Sequence, residues 1–270
     1  MRTRLSLRFL ALGYLSILVV FPVVWILWES FGNGLGQVAG AVTNPDSVHA
    51  LYLSVLIAVI AVAVNTVFGV IIALVIVRHP FRGVSLMNAF VDLPLGLSPV
   101  VVGLSLLLVY GVYGWFGGWL QARGIMVIFA LPSMILATTF VTLPFVVREV
   151  VPVVREVGTQ QEEAARTLGA SSFETFRRIT LPAISAGVIY GVVLTMARAL
   201  GEFGAVTVVS SNVFGKSQTL TLYIDAIISG NTPNYTPVYV AYIAAIELGI
   251  LAVATLVLMS WIRKRGAERA

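Results

Sequence analysis

Residues 159–182 read TQQEEAARTLGASSFETFRRITLP and belong to the longest polar interval of an otherwise apolar chain. Eight charged residues lie between positions 155 and 178, whereas long apolar runs flank this interval on both sides. A polar interval between apolar runs of about 20 residues is typical of a loop that joins two membrane spans. We therefore expect residues 153–182 to form a folded loop between spans.

The first half of this loop carries the start and stop signals of a short helix. Thr159 and Glu162 have the spacing of a capping box, and residues 160–168 are good helix formers. Gly169 suits the left-handed conformation that ends many helices. The sequence therefore predicts a short helix that is closed at both ends.

The second half of the loop predicts another short helix. Ser171 and Glu174 repeat the capping-box spacing. Phe173, Phe176 and Ile179 would fall on one face of the helix that follows. The loop as a whole is thus predicted to be a helix, a glycine turn and a second helix.

Two adjacent small residues in the first helix, Ala164 and Ala165, would leave a shallow surface on which another protein could pack. A hairpin that merely joins two spans is the alternative. The full pattern is Glu-Ala-Ala, three residues, Gly, nine residues and Ile-x-Leu-Pro, and it resembles the loop of membrane subunits of ATP-binding-cassette (ABC) importers at every position. In that family the loop docks into a cleft on a cytoplasmic ATPase. The resemblance implies a coupling role for Glu162, Glu163, Ala164, Ala165, Leu168, Gly169, Phe173, Ile179, Leu181 and Pro182.

The composition points independently to a membrane protein. Hydrophobic residues make up 59% of the 270 residues and charged residues 11%, with a mean hydropathy of +0.97. A soluble domain is rarely this apolar. Apolar runs predict six spans, and we expect an all-α membrane protein with a single permease domain over 1–270 and its core in 50–262. The predicted spans lie near 9–28, 51–77, 86–110, 130–151, 183–210 and 239–262.

The basic residues predict the orientation of these spans. Fourteen of the 17 Lys and Arg residues, among them Arg2, Arg4 and Arg269, fall on one side; Arg123 and Lys216 fall on the other. By the positive-inside rule, both termini and the loop 153–182 are cytoplasmic. The net charge of +5 has the same origin and does not indicate nucleic-acid binding.

Metal and disulfide chemistry find little support in the sequence. The chain has no cysteine, which excludes disulfides and thiolate metal sites. Its two histidines, His49 and His79, lie 30 residues apart beside predicted span ends and are interpreted as polar boundary residues. We expect no metal and no cofactor on this chain.

The candidates for the translocation path are three charged residues within the predicted spans, Arg198, Glu202 and Asp92, together with Pro94. Arg198 and Glu202 lie four apart in the fifth span, where a lone charge costs roughly 2.5–3.5 kcal/mol, so we expect them to face each other or water. Such a pair could hold one helix pose, or it could act in gating or anion passage. Asp92, two residues before Pro94, could be a gate element or could satisfy backbone groups that the proline frees.

The fifth span also contains a small-xxx-small pair, Gly187 and Gly191. This pair predicts that one side of the helix closely approaches another backbone. A helix with such a side is expected at the centre of the assembly.

A narrower resemblance comes from four further stretches. Residues 197–205, ARALGEFGA, resemble a segment shared by sulfate and molybdate importer permeases, whereas 92–101, 140–149 and 206–210 resemble the CysW-type subunit of the sulfate/thiosulfate branch. The resemblance implies a type I ABC importer permease fold and a subunit that imports sulfate or thiosulfate. It also implies a heterodimer with a CysT-type permease, a cytoplasmic ATPase dimer and a periplasmic or lipid-anchored sulfate-binding protein. The loop 211–219 is equally typical of molybdate permeases, so a molybdate/tungstate importer remains the alternative.

ATP chemistry is expected on a partner chain, so this chain is predicted not to be an enzyme. Its only P-loop-like fragment is Gly215-Lys216-Ser217, and Ser210 occupies the position of the leading glycine. ATP and magnesium would then bind to the partner ATPase. A stand-alone secondary transporter or channel is the rival of another class, but it would be expected to spread ionisable residues over several spans.

Overall fold

The computed structural model describes residues 8, 10, 12–32, 34–79 and 81–267, and within them it contains helices and no strand. Arg2, Arg4 and Arg269, which the charge count placed on the cytoplasmic side, lie outside the described residues. In chain order the helices are α1 (Leu12–Phe31), α2 (Leu35–Val42), α3 (Pro45–Arg78), α4 (Val84–Gly96), α5 (Pro99–Tyr110), α6 (Gly117–Gln121), α7 (Leu131–Val157), α8 (Gln160–Thr167), α9 (Ser172–Ala183), α10 (Ser185–Leu200), α11 (Gly204–Val209), α12 (Leu220–Ile228) and α13 (Val238–Ala267).

The predicted spans correspond to four long helices and two bent pairs among the described residues. Helices α1, α3, α7 and α13 are long and apolar enough to cross a membrane. Helices α4 and α5 meet at 113°, and α9 and α10 meet at 69°, so six spans result when each bent pair counts as one. The all-α fold with about six spans is confirmed.

The span predicted near 86–110 is not one straight helix. It breaks at Leu97 and Ser98, which are extended, with ψ angles of 145° and 136°. Pro99 then begins α5, and a residue that precedes a proline avoids the helical conformation for steric reasons. Pro94, by contrast, lies buried inside α4 without ending that helix.

The span predicted over 183–210 is also interrupted. Helix α10 ends at Leu200, and α11 begins at Gly204. A carboxylate oxygen of Glu202 accepts a hydrogen bond from the backbone N–H of Ala205 at 2.9 Å, which satisfies one of the free donors at the start of α11. The sequence prediction treated Glu202 as a charge within a continuous helix, whereas it belongs to a helix start.

The core is built where α3, α7 and α10 pack together. Gly69 of α3 and Gly191 of α10 both lie against Val146 of α7, and a Cβ on either glycine would come within 2.7–2.8 Å of it. A Cβ on Gly187 would lie 2.8 Å from the carbonyl oxygen of Glu149. The predicted close approach of the Gly187 and Gly191 side is therefore confirmed, and no larger residue fits without a shift of the helices.

Candidate functional site

The loop between α7 and α10 forms a hairpin of α8 and α9, hereafter the hairpin. Gly169 follows α8 with a φ of +88°, so the predicted left-handed glycine is confirmed. Ser171 Oγ accepts from the Glu174 N–H, and the Glu174 carboxylate accepts from the Ser171 N–H, both at 3.3 Å. The second predicted capping box is therefore present. Helix, glycine turn and helix follow one another as the local sequence predicts.

The first predicted capping box is wrong, because Glu162 turns into the protein. The Thr159 side chain makes no capping hydrogen bond. Glu162 Oε1 lies 3.0 Å from Arg78 Nη2 and accepts from Thr180 Oγ1 at 3.0 Å. Arg78 Nη2 also donates to the carbonyl oxygen of Gly158 at 2.5 Å. Both side chains are only 11% exposed, so charge-assisted hydrogen bonds inside the protein hold this carboxylate away from the helix start.

The outer side of the hairpin is exposed and mostly polar, but two large apolar side chains also lie on it. Glu163 and Ala164 are exposed, Leu168 is 89% exposed and Phe173 is 70% exposed. Ala165, by contrast, is buried. The two adjacent alanines therefore differ in position, since Ala164 lies on the outer surface and Ala165 packs beneath it. Leu168 and Phe173 are thus large apolar side chains that the hairpin leaves uncovered within this chain.

The predicted common face of Phe173, Phe176 and Ile179 is not formed. Phe176 and Ile179 are half-buried, whereas Phe173 points to the outside. Residues 176–180 take a π-helical turn, which has more residues per turn than the α-helix that the spacing assumed. Leu181 and Pro182 then lead into α10, and both are exposed.

Arg198 and Glu202 form an ion pair across the break between α10 and α11. Arg198 Nη1 lies 2.7 Å from Glu202 Oε2, and the side chains are 34% and 1% exposed. Glu202 Oε1 is the oxygen that accepts from Ala205, and the Glu202 carbonyl accepts from Thr221 Oγ1 at 3.0 Å. Glu202 thus joins Arg198, the start of α11 and the first turn of α12, while part of the guanidinium stays accessible.

Asp92 does not serve the backbone near Pro94. Its carboxylate accepts from Arg148 Nε at 2.8 Å and also contacts Arg148 Nη2. Arg148, one of the fourteen basic residues counted on the cytoplasmic side, lies inside α7. Sequence reasoning missed this partner, which is 56 residues away; an arginine between Pro144 and Pro152 in an apolar helix was the only local signal.

The break between α4 and α5 lies next to the break between α10 and α11. A Cβ on Gly204, at the start of α11, would lie 3.0 Å from Pro99 Cβ, at the start of α5. A Cβ on Gly103 would lie 2.8 Å from the Ala205 carbonyl oxygen. Both short helices therefore begin next to each other, and α11 begins beside the Arg198–Glu202 pair. In the described part of the chain, no group of three or more His, Asp or Glu residues could hold a metal ion.

Known proteins resemble this chain over nearly its whole length. The CysW sulfate transport system permease protein of Synechocystis sp. is 46% identical over 95% of this chain and 91% of its own. The protein of that name from Escherichia coli K12 is 44% identical over 93% of this chain and 84% of its own. A solved structure of a bacterial alginate ABC transporter, in complex with a periplasmic protein bound to an alginate pentasaccharide, has a TM-score of 0.79 at 15% identity. It covers 97% of this chain and 94% of its own.

The family assignment follows from the sequence match and agrees with the fold. Residues 65–265 match the family described as binding-protein-dependent transport system inner membrane component, which covers both ion pairs and the hairpin. The alginate transporter chain has a similar arrangement of helices despite its low sequence identity. This chain belongs to the family of binding-protein-dependent transport system inner membrane components.

Proposed function

We propose that this chain is the transmembrane permease subunit of an ATP-driven importer that carries sulfate or thiosulfate into the cytoplasm, with energy from a separate ATPase subunit. The observation that carries the proposal is the two-sided hairpin, which is bound to the spans through Glu162 and exposes Leu168 and Phe173. Sulfate is favoured because relatives at 44–46% identity are named sulfate transport permeases.

In this proposal the outer side of the hairpin docks into a cleft on the ATPase. Leu168 and Phe173 would bury apolar surface there, and Ala164 would allow the two backbones to approach. Glu163 would lie at the rim, where a carboxylate can pair with a basic residue of the ATPase. ATP binding would then move the hairpin, and the hairpin would move the spans.

The assembly would comprise this chain, a related CysT-type permease, an ATPase dimer and a periplasmic or lipid-anchored sulfate-binding protein. The excess of Lys and Arg on one side supports cytoplasmic termini and a cytoplasmic hairpin in a bacterial inner membrane. The hairpin must face the cytoplasm, because ATP is hydrolysed there.

The anion would pass the place where the two helix breaks meet. Arg198 keeps 34% of its side chain exposed, so its free N–H groups can face an anion while Glu202 holds the guanidinium in position. Asp92 and the bend after Pro94 would shape the path from the side of α4. We assign Arg198 as the anion-facing group and Glu202 as the residue that positions it.

The coupling role is tested by changing the glycine turn. Gly169→Asp places a side chain at a φ of +88°, where non-glycine residues are strained, so the hairpin should distort and uptake of radiolabelled sulfate should fall while the ATPase still hydrolyses ATP. Gly124→Asp is the matched control, because Gly124 has a φ of +69°, equally open space and a position outside the hairpin. Wild-type uptake with Gly169→Asp would remove the hairpin from the mechanism.

The choice of anion is tested by competition. Cells that lack this chain and are then supplied with it should regain uptake of radiolabelled sulfate. Unlabelled thiosulfate should inhibit that uptake strongly, and molybdate should inhibit it weakly. Stronger inhibition by molybdate would favour the molybdate/tungstate importer.

A further inference from the structure

The hairpin is attached to the spans through its two chain ends, through Phe176, which packs on a cluster that includes Val70 and Ala73 of α3, and through an ion pair. Its chain continues directly into α7 on one side and into α10 on the other. The ion pair is made by Arg78, the last residue of α3. Helix α3 is distant in sequence from the hairpin, since Arg78 and Glu162 are 84 positions apart.

The Arg78 contacts converge from three parts of the hairpin region. The guanidinium donates to the Gly158 carbonyl, at the turn before α8, and to Glu162 on α8. The same Glu162 oxygen accepts from Thr180, on the π-helical turn of α9. Arg78 and Glu162 are each nearly nine-tenths buried, so the guanidinium and the carboxylate have little water to replace a lost partner. A pair that joins a turn and two helices in this way resists independent movement of the hairpin.

Helix α3 is well placed to receive this movement. It packs along both α7 and α10, and Gly69 lies in direct contact with Val146 of α7. A hairpin held only by its two chain ends and by the packing of Phe176 could tilt past the end of α3. A hairpin held also by Arg78 moves the ends of all three helices together.

We infer that the Arg78–Glu162 pair is a latch that transmits movement of the hairpin to α3. Arg78 is a positioning residue, since it acts through the hairpin and not on the anion. The two adjacent glutamates then have separate tasks, with Glu162 facing the spans and Glu163 facing outward. The inference rests on the proposed docking of the hairpin to an ATPase.

The test measures sulfate uptake and ATP hydrolysis by the complete importer in proteoliposomes. In Arg78→Met we expect ATP hydrolysis to continue and uptake per ATP to fall roughly tenfold, within the range of typical coupling free energies. Arg78→Lys keeps the charge but not both contacts, so its loss should be smaller. Arg82→Met is the matched control, because Arg82 is an exposed arginine in the turn that follows α3.

A second measurement separates the latch from the docking on which it rests. The chain has no cysteine, so Ala164→Cys introduces its only thiol for crosslinking to the ATPase. Failure to crosslink with Arg78 intact would contradict the docking. A normal crosslink together with wild-type uptake per ATP in Arg78→Met would overturn the latch alone. If Arg78→Met does not assemble, Arg78→Lys and Thr180→Val decide, and wild-type uptake per ATP in both would overturn it.

Discussion

The two arginine–carboxylate pairs within the spans differ in burial and in what each carboxylate does. Glu202 is 1% exposed, and its two oxygens divide between Arg198 and the start of α11. Asp92 is 34% exposed, and both of its oxygens contact Arg148, which is itself 57% exposed. The first pair closes a break within one stretch of chain, whereas the second joins α4 to α7 at the surface.

This difference teaches that an ion pair within a span can be required for folding whether or not it lines the translocation path. A buried carboxylate without its partner is strongly destabilising, whereas an exposed pair contributes little. The Arg198–Glu202 pair should therefore be needed for folding, and the Asp92–Arg148 pair should be almost dispensable for it. The effect of a substitution on transport can be interpreted only after its effect on folding has been measured.

Arg198→Ala should have the largest effect on stability. The change leaves the Glu202 carboxylate charged and buried, which costs about 3–5 kcal/mol of unfolding free energy. Unfolding of the detergent-purified chain would measure the loss. The double variant Arg198→Ala, Glu202→Ala should lose less, because no charge is stranded and only a helix cap of about 1 kcal/mol is removed. Losses that simply add would show that the two side chains do not interact.

Glu202→Gln should have an intermediate effect. An amide oxygen can still accept from the Ala205 N–H, and Arg198 keeps contact with water through its exposed third, so the loss should be about 1.5–3 kcal/mol, the contribution of a hydrogen bond to a charged group. The same unfolding experiment measures it. If Glu202→Gln lost as much unfolding free energy as Arg198→Ala, the charge of Glu202 would explain why the Arg198–Glu202 pair stabilises the fold more than the Asp92–Arg148 pair. Its burial would then not explain that difference.

The sequence predicts the hairpin well because its signals are local. Gly169, and Ser171 with Glu174, act through neighbours within a few residues, and their geometry follows from backbone chemistry. Thr159 with Glu162 has the same spacing, yet it fails because Arg78, 84 residues away, binds the carboxylate. Whether a predicted capping box forms therefore depends on whether a residue distant in sequence binds its carboxylate instead.

The breaks in the spans were harder to predict, because hydropathy alone does not register them. Residues 86–110 and 183–210 are each apolar enough on average to predict one span, and only Ser98-Pro99 and the Gly201–Gly204 interval mark the places where the helices end. Pro94 lies inside α4 without ending it, whereas the extended residue before Pro99 ends the helix. The partner of Asp92 could not be predicted for a different reason. Arg148 lies on another helix, and sequence periodicity does not show which residues of α4 and α7 come into contact.

Arg148→Ala should have the smallest effect, about 1 kcal/mol or less of unfolding free energy, because Arg148 is 57% exposed and leaves Asp92, at 34%, in contact with solvent. The same unfolding experiment measures it, with Asp92→Ala and the double variant completing the cycle. A loss near 3 kcal/mol, the cost of a lone charge in a bilayer, would instead place this face of α4 and α7 against lipid. A small loss of stability combined with impaired sulfate uptake would mean that Asp92 and Arg148 face water, where removing the pair changes the charge along the path and not the fold.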